Sequence, residues 1–171
     1  MKNFDNQYYS SLKISGVYFK VFTSQKGIRR VYLNNKDAKI RATSLTKLHP
    51  DDPYMFNIFT ELKEYCNGDR KKFTVLLDFE GTEFQNKVWN ELLKIPYGKL
   101  KTYKEIAAKI GNENAMRAVG RANSTNHIPI IIPCHRVIAS NGTLGGYSGG
   151  ISLKEKLLEL EGSLSLELFE G

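Results

Sequence analysis

Two helix-start signatures of the same kind stand in the second half of this chain, Thr82-x-x-Gln85 and Thr102-x-x-Glu105. In each, the threonine side chain can close the first helical turn. The side chain three residues on can reach back to the threonine backbone. These signals commit the second half to a run of short helices. Phe84, Val88, Trp89, Leu92 and Leu93 form one apolar face after the first signal, and Pro96-Tyr97-Gly98 ends that helix. After the second, a short helix runs through Ile106, Ala107 and Ile110 to Gly111. Residues 112–114 start a further helix, from Ala115 to about Asn123. Ser152 and Glu155 read as the cap of a last helix carrying Leu153, Leu157, Leu158 and Leu160. Two short helices around a glycine-containing turn suggest a helix-turn-helix. Its second helix carries Ala115, Ala118, Gly120 and Ala122, with Arg117 and Arg121 four apart. Such small side chains suit close approach to a groove or to another helix.

The first half has a different pattern. Residues 11–23 and 27–34 are rich in Val, Ile, Tyr and Phe on either side of Ser24-Gln25-Lys26-Gly27, which predicts a hairpin. Residues 54–66 show helical spacing (Phe56, Phe59, Leu62, Cys66) and stop at Asn67-Gly68. Residues 73–79 read as a buried strand. The expectation is a small α+β domain over residues 1–80 and a helical domain over 81–171. A chain of 171 residues suits two such domains.

A hydrophobic content of 41% and a charged content of 25% fit a globular protein with no membrane partner. No apolar stretch approaches a membrane span, and MKNFDNQYYS has no apolar signal core. With only two cysteines, Cys66 and Cys134, a disulfide framework is not indicated, so a reducing, cytoplasmic location is expected. The formal net charge is +7. Residues 94–136 contain eight basic side chains, opposed only by Glu105 and Glu113. A basic stretch of this kind points to a polyanion, and a phosphate backbone is the usual one.

The same stretch ends in Ile132-Pro133-Cys134-His135-Arg136-Val137, after the apolar run Ile128-Pro129-Ile130-Ile131. Here a thiol, an imidazole and a guanidinium stand side by side. A thiol is a weak nucleophile until it becomes a thiolate, which a neighbouring base or cation promotes. Pro129 and Pro133 interrupt any strand ladder, which places Cys134 where an extended segment ends. The competing reading is an inert buried thiol, the common state of a free cysteine. Cys66, on the apolar face of its helix, fits that state.

With these residues in view, the segment from about Gly81 to Gly162 resembles the O6-alkylguanine-DNA alkyltransferases (methylated-DNA–protein-cysteine methyltransferases). The landmarks are Gly81-Thr82-Glu83-Phe84-Gln85 with Val88-Trp89, then Ile95-Pro96-Tyr97-Gly98, Thr102-Tyr103 and Arg117-Ala118-Val119-Gly120. They continue with Asn126, Pro133-Cys134-His135-Arg136-Val137, Tyr147-Ser148-Gly149-Gly150 and Glu161-Gly162. The N-terminal region matches only in size and style. The resemblance implies an α/β plus α fold: a small ribonuclease-H-like α+β N-terminal domain, and a helical, winged-helix-like C-terminal domain with a helix-turn-helix. It also implies irreversible transfer of an alkyl group from guanine O6 in double-stranded DNA to the protein's own cysteine, once per molecule.

The resemblance assigns roles as follows. Cys134 is the nucleophile and acceptor, His135 its base through a water, and Glu161 the group that orients the imidazole. Tyr103 donates a proton to the departing guanine. Arg117 fills the place of the extruded nucleotide, and Ala118 belongs to the same DNA-facing helix. Arg121 stands where relatives often carry a small residue and fits a phosphate contact. Asn126 ties the recognition helix to the active-site segment. Tyr147, Ser148 and the backbone of Val137 and Cys134 line the pocket for the base. The helix-turn-helix is expected to read the minor groove and the protein to be a monomer. No cofactor is expected. A structural zinc, found in some relatives, would need more ligands than Cys66 and His49 supply. Two rival readings are a non-enzymatic lesion-recognising DNA-binding module, which Cys134 argues against, and a cysteine hydrolase built on Cys134, His135 and Glu161, for which no peptide or ester site is evident.

Overall fold

A computed structural model describes residues 7–39 and 44–164. The chain divides into two compact units, Met1–Glu80 and Gly81–Gly171. The expectation for the 165–171 tail lies outside the described residues.

In the first unit, β-branched and aromatic residues build three antiparallel strands, β1 (Gln7–Ile14), β2 (Val17–Ser24) and β3 (Gly27–Leu33). The expected hairpin is β2–β3, turning at Ser24–Gly27. Residues 11–23 hold a second turn, because Ser15 and Gly16 both adopt positive φ (47° and 85°) and reverse the chain between β1 and β2. A short strand β4 (Leu45–Lys47) runs parallel to β1 and completes the order β3-β2-β1-β4. One sheet face carries the buried Phe19, Val21, Val31 and Leu33. Helix α1 (Pro53–Cys66), capped by Asp52 with Pro53 in its first turn, presents Met55, Ile58, Phe59 and Leu62 to the core. The predicted strand at 73–79 does not form. The backbone bonds of this segment to β3 are Ile28 N–H to Leu76 O and Asp78 N–H to Ile28 O, both 2.8 Å, and Arg29 of β3 pairs with Asp78 at 3.6 Å. None of its residues is fully buried and Leu76 is 73% exposed. Side-chain bonds hold it instead, Thr74 N–H donating to Glu61 at 2.8 Å and Ser24 donating to Asp78.

In the second unit, both threonine caps are present with both bonds of the capping box. They open α2 (Glu83–Leu92) and α3 (Tyr103–Lys109). A 3₁₀ turn over Glu113–Ala115 leads into α4 (Met116–Ser124), which packs against α3 and α2. Val119, Ala122 and Asn123 face inward, and Trp89 Nε1–H donates to Ala122 O at 2.9 Å, fixing α2 to α4. Two-residue strands β5 (Lys101–Thr102) and β6 (Val137–Ile138) pair in parallel. The last helix, α5 (Ile151–Leu160), does not use the Ser152 and Glu155 cap. Its N-cap is Gly150 at φ 89°, which leaves Ser152 inside the first turn. Among the described residues, no helix is long and apolar enough to cross a membrane.

Candidate active site

The β5–β6 pair brings the site together. Thr102 lies opposite Ile138, so Tyr103, the next residue, begins α3 beside the segment that holds Cys134. That segment is tighter than the extended run expected from its prolines. Ile132 N–H bonds to Ile128 O at 2.9 Å, Ile130 sits at φ 75°, and Cys134–Arg136 forms a 3₁₀ turn. Asn126 secures the turn from both sides. Its amide donates to Ile132 O at 2.8 Å and its Oδ1 accepts from Ile128 N–H at 3.0 Å. Asn123, on α4, donates to Cys134 O at 3.2 Å. The helix-turn-helix is thus wired to the thiol segment by two amides, of which sequence reading had named only Asn126.

Cys134 is 2% exposed and His135 is fully buried. Burial pushes the Cys134 thiol up to about 11, against the lesser pull of the Asn126 amide and the Lys154 charge. The same desolvation holds the His135 imidazole below its ordinary value, although the Glu161 carboxylate works against it. His135 Nε2 lies 2.9 Å from Glu161 Oε1. Glu161 also accepts two bonds from Arg136, Nε to Oε2 and Nη2 to Oε1, each 2.8 Å, and one from Gly98 N–H at 3.2 Å. A carboxylate so surrounded by donors stays ionised and can only accept. Nε2 therefore carries the imidazole proton, and Nδ1 keeps the lone pair a base requires.

Arg136 is the participant that sequence reading underrated. Besides gripping Glu161, its Nη1 donates to Ile95 O at 2.7 Å and its guanidinium lies over the Tyr97 ring at 5.8 Å. Tyr97 in turn donates to Leu160 O at 2.9 Å. Gly98 has φ 72°, and a Cβ there would meet Glu161 O at 2.8 Å. The Ile95-Pro96-Tyr97-Gly98 turn is a clamp on the end of α5.

Lys154 was missed altogether. It is fully buried on α5, and its ammonium donates to Val137 O at 2.6 Å and to Leu144 O. Desolvation lowers it to about 8, with the Cys134 charge acting in the opposite direction. One cation thus joins the turn after Cys134 to the glycine-rich loop and faces the sulfur electrostatically.

Tyr103 is half-buried. Desolvation raises its hydroxyl above the usual tyrosine range, the Cys134 charge adds to this, and the Asn123 amide opposes it. The phenol keeps its proton and stays a donor. It sits between two glycines: a Cβ on Gly120 would come 3.8 Å from its ring, and one on Gly145 would come 2.9 Å from its hydroxyl. Tyr147 lies edge-on to His135 at 6.3 Å, in the same loop. Ser148 is exposed. Val137 O and Cys134 O, expected to receive the base, already hold Lys154 and Asn123 respectively. Each carbonyl has a second lone pair. Arg117, Ala118 and Arg121 are exposed on the outward side of α4, away from the thiol segment. Among the described residues, no group of three or more His, Cys, Asp or Glu side chains could hold a metal ion.

Two family models cover most of the chain. The "6-O-methylguanine DNA methyltransferase, ribonuclease-like domain" matches residues 8–79, and the "6-O-methylguanine DNA methyltransferase, DNA binding domain" matches residues 83–163. The inducible methylated-DNA–protein-cysteine methyltransferase of Bacillus subtilis is 40% identical over 167 residues, 94% of this chain and 93% of that protein. The chain belongs to the methylated-DNA–protein-cysteine methyltransferase family. The family member from Methanosarcina acetivorans is 58% identical over 103 residues, 60% of this chain and 66% of the relative. The crystal structure of the Mycobacterium tuberculosis O6-methylguanine methyltransferase superposes with a TM-score of 0.83 at 37% identity, covering 96% of this chain and 99% of that one. The same protein in complex with DNA gives 0.83 at 37% identity over 95% and 99%. The ribonuclease-like unit followed by a DNA-binding unit is the family architecture.

Proposed function

We propose that the protein repairs O6-alkylguanine in duplex DNA by moving the alkyl group irreversibly onto Cys134 Sγ. The observation that carries this reading is the buried relay in which Arg136 fixes Glu161, Glu161 fixes His135, and His135 follows Cys134 in one 3₁₀ turn. His135 Nδ1 takes the thiol proton through a bridging water. The thiolate attacks the saturated carbon in line with O6; the S–C bond forms as the C–O bond breaks. The Tyr103 hydroxyl hands its proton to the guanine as the C–O bond breaks, so the base leaves neutral and the negative charge passes to the Tyr103 oxygen. No step regenerates the thiol, and each molecule acts once.

The target carbon lies inside the stack, so the nucleotide is rotated out, at a cost of a few kcal/mol. Arg117 on α4 occupies the vacated place and Arg121 contacts phosphate. Ala118 and Gly120 keep the helix slim enough for the minor groove, where little sequence is read. Tyr147 and Ser148 close over the extruded base, which reaches the thiol only once the loop 142–150 yields. The protein acts as a monomer, without cofactor, and in a reducing cytoplasm that keeps Cys134 and Cys66 as thiols.

The test compares duplex DNA carrying O6-methylguanine with free O6-benzylguanine base. One equivalent of methyl should be consumed per protein and no more. Arg117→Ala should slow the duplex reaction on the order of tenfold or more while sparing the free base, because only the duplex requires extrusion. Repeated turnover would overturn the acceptor assignment, and equal losses on both substrates would overturn the role of Arg117.

A further inference from the structure

The strand registers of the first unit place one cation from every strand on a single sheet face. Lys47 on β4 lies opposite Tyr9. Lys13 on β1 lies opposite Tyr18, and Lys20 on β2 lies opposite Ser11 and Tyr32. Arg30 on β3 lies opposite Phe22. Side chains at paired positions share a face. This one therefore presents Lys47, Lys13, Lys20 and Arg30 among Tyr9, Tyr18, Phe22 and Tyr32, and no carboxylate stands at these positions. The other face is the apolar core against α1.

Two of these cations, Lys20 and Arg30, are held in place by the rings, and Lys20 Nζ also donates to Lys36 O at 2.9 Å. Lys20 Nζ lies 5.4 Å from the Tyr9 centroid and 5.8 Å from that of Phe22. Arg30 lies over Tyr32 at 5.8 Å and its Nη1 donates to the Tyr32 hydroxyl at 3.0 Å. Lys36, just past β3, lies over Tyr18 at 5.6 Å, next to the exposed Asp37. The rings brace one another: Tyr9 stacks on Phe22 at 5.5 Å, and Tyr32 meets Phe22 edge-on at 5.8 Å. Among the described residues, the arginine ion pairs of this unit use other cations, Arg29 with Asp78 and Glu80, and Arg70 with Glu61 and Glu64. Residues 1–80 hold fourteen basic and nine acidic side chains, so most of the net charge of +7 resides here, in the unit to which the transfer chemistry gives no task.

We propose that this sheet face is a second DNA-contact surface, on which the exposed Lys13 and Lys47 and the ring-braced Lys20 and Arg30 bind a phosphate backbone without reading sequence. Bracing lowers the ordering cost of the Lys20 and Arg30 contacts. Because cations already cover the rings, the face offers charge more than open platforms for stacking bases, which favours backbone contact over base capture. The inference rests on DNA as the partner and does not depend on the transfer step.

The experiment measures affinity for undamaged duplex DNA at several salt concentrations. Each lost phosphate contact makes the slope of log K against log salt shallower by about 0.9. The full chain carrying Lys13→Gln, Lys20→Gln, Arg30→Gln and Lys47→Gln should lose about 3.6 from that slope. Lys13→Gln with Lys47→Gln, both exposed, should lose about 2, and this pair serves if the fourfold variant does not fold. Lys63→Gln with Lys72→Gln removes the same charge elsewhere on the unit and should leave the slope unchanged. Reaction with free O6-benzylguanine should be unaffected in all three. A parental slope in the Lys13 and Lys47 variant, or an equal loss in the Lys63 and Lys72 control, overturns the proposal. A protein that never accepts an alkyl group would refute the proposed repair reaction while leaving the salt slope readable.

Discussion

Arg136 and Glu161 meet through two parallel hydrogen bonds of 2.8 Å in a place almost closed to water. The pair is the anchor of the relay: Arg136 keeps the carboxylate ionised, and the ionised carboxylate decides which imidazole nitrogen carries the proton. Breaking a buried pair by removing one partner leaves an uncompensated charge and costs about 3–5 kcal/mol. Arg136→Met should lose stability of that order in chemical denaturation. Arg136→Lys should recover little, because an ammonium cannot reproduce the two-pronged grip or the contact with Tyr97. A lysine variant of parental stability would remove Arg136 from the anchor role.

Stability should depend on pH through His135. Its folded value is held below the ordinary 6.5 by burial, so the unfolded chain binds the proton more readily. Stability from this group is then full above about 6.5 and declines as pH falls below it, since protonation favours the unfolded chain. Denaturation midpoints across that window, compared with His135→Gln, test the sign. A midpoint that rises on acidification in the parent but not in the variant would contradict it.

The fold was legible where its cause is local. Thr82 with Gln85 and Thr102 with Glu105 satisfy their helix ends with groups three residues away, so the starts of α2 and α3 could be read directly. The start of α5 could not, because Gly150 sets it by its positive φ while Ser152 and Glu155 imitate a cap. Residues 73–79 have the apolar character of a strand, but the strand-like backbone pairing they find is with Ile28 alone among the described residues, and side chains such as Glu61 and Ser24 take up the rest. In the site, Cys134 and His135 stood out as neighbours. Arg136 with Glu161 joins positions far apart in the chain, and Glu161 was singled out only by family resemblance. Lys154 gave no signal: a lysine among Leu153, Leu157 and Leu158 reads as a solvated edge of the helix. The carbonyls of Val137 and Leu144 that draw it inward converge only after folding.

Lys154 places a positive charge in the field of the sulfur and pins two loops. Lys154→Met should slow alkyl transfer about tenfold or more on duplex and free base alike, since a nearby cation is worth about one to three units of thiol acidity. The pH at which free benzylguanine reacts at half its maximal rate should move upward. A purely structural lysine would lower the folded fraction without moving that midpoint, and this result would refute the electrostatic role.

Gly145 has φ 67° and leaves no room for a Cβ beside the Tyr103 hydroxyl. Gly145→Ala should cost about 1–2 kcal/mol from the left-handed backbone alone. It should also press the Tyr103 ring away from the loop and into the site, so that transfer of benzyl falls further than transfer of methyl. Competition between the two substrates measures this directly. Equal effects on both would show that the loop does not bound the alkyl pocket.

The central claim is that Cys134 itself keeps the alkyl group. The most direct measurement is the mass of the proteolytic peptide containing Cys134 after one equivalent of duplex DNA bearing O6-methylguanine has been added. The peptide should gain the mass of one methyl group, located on the cysteine by fragmentation, while the Cys66 peptide stays unchanged and Cys134→Ser gains nothing. An unmodified Cys134 peptide from protein that has nonetheless restored the guanine would contradict the account.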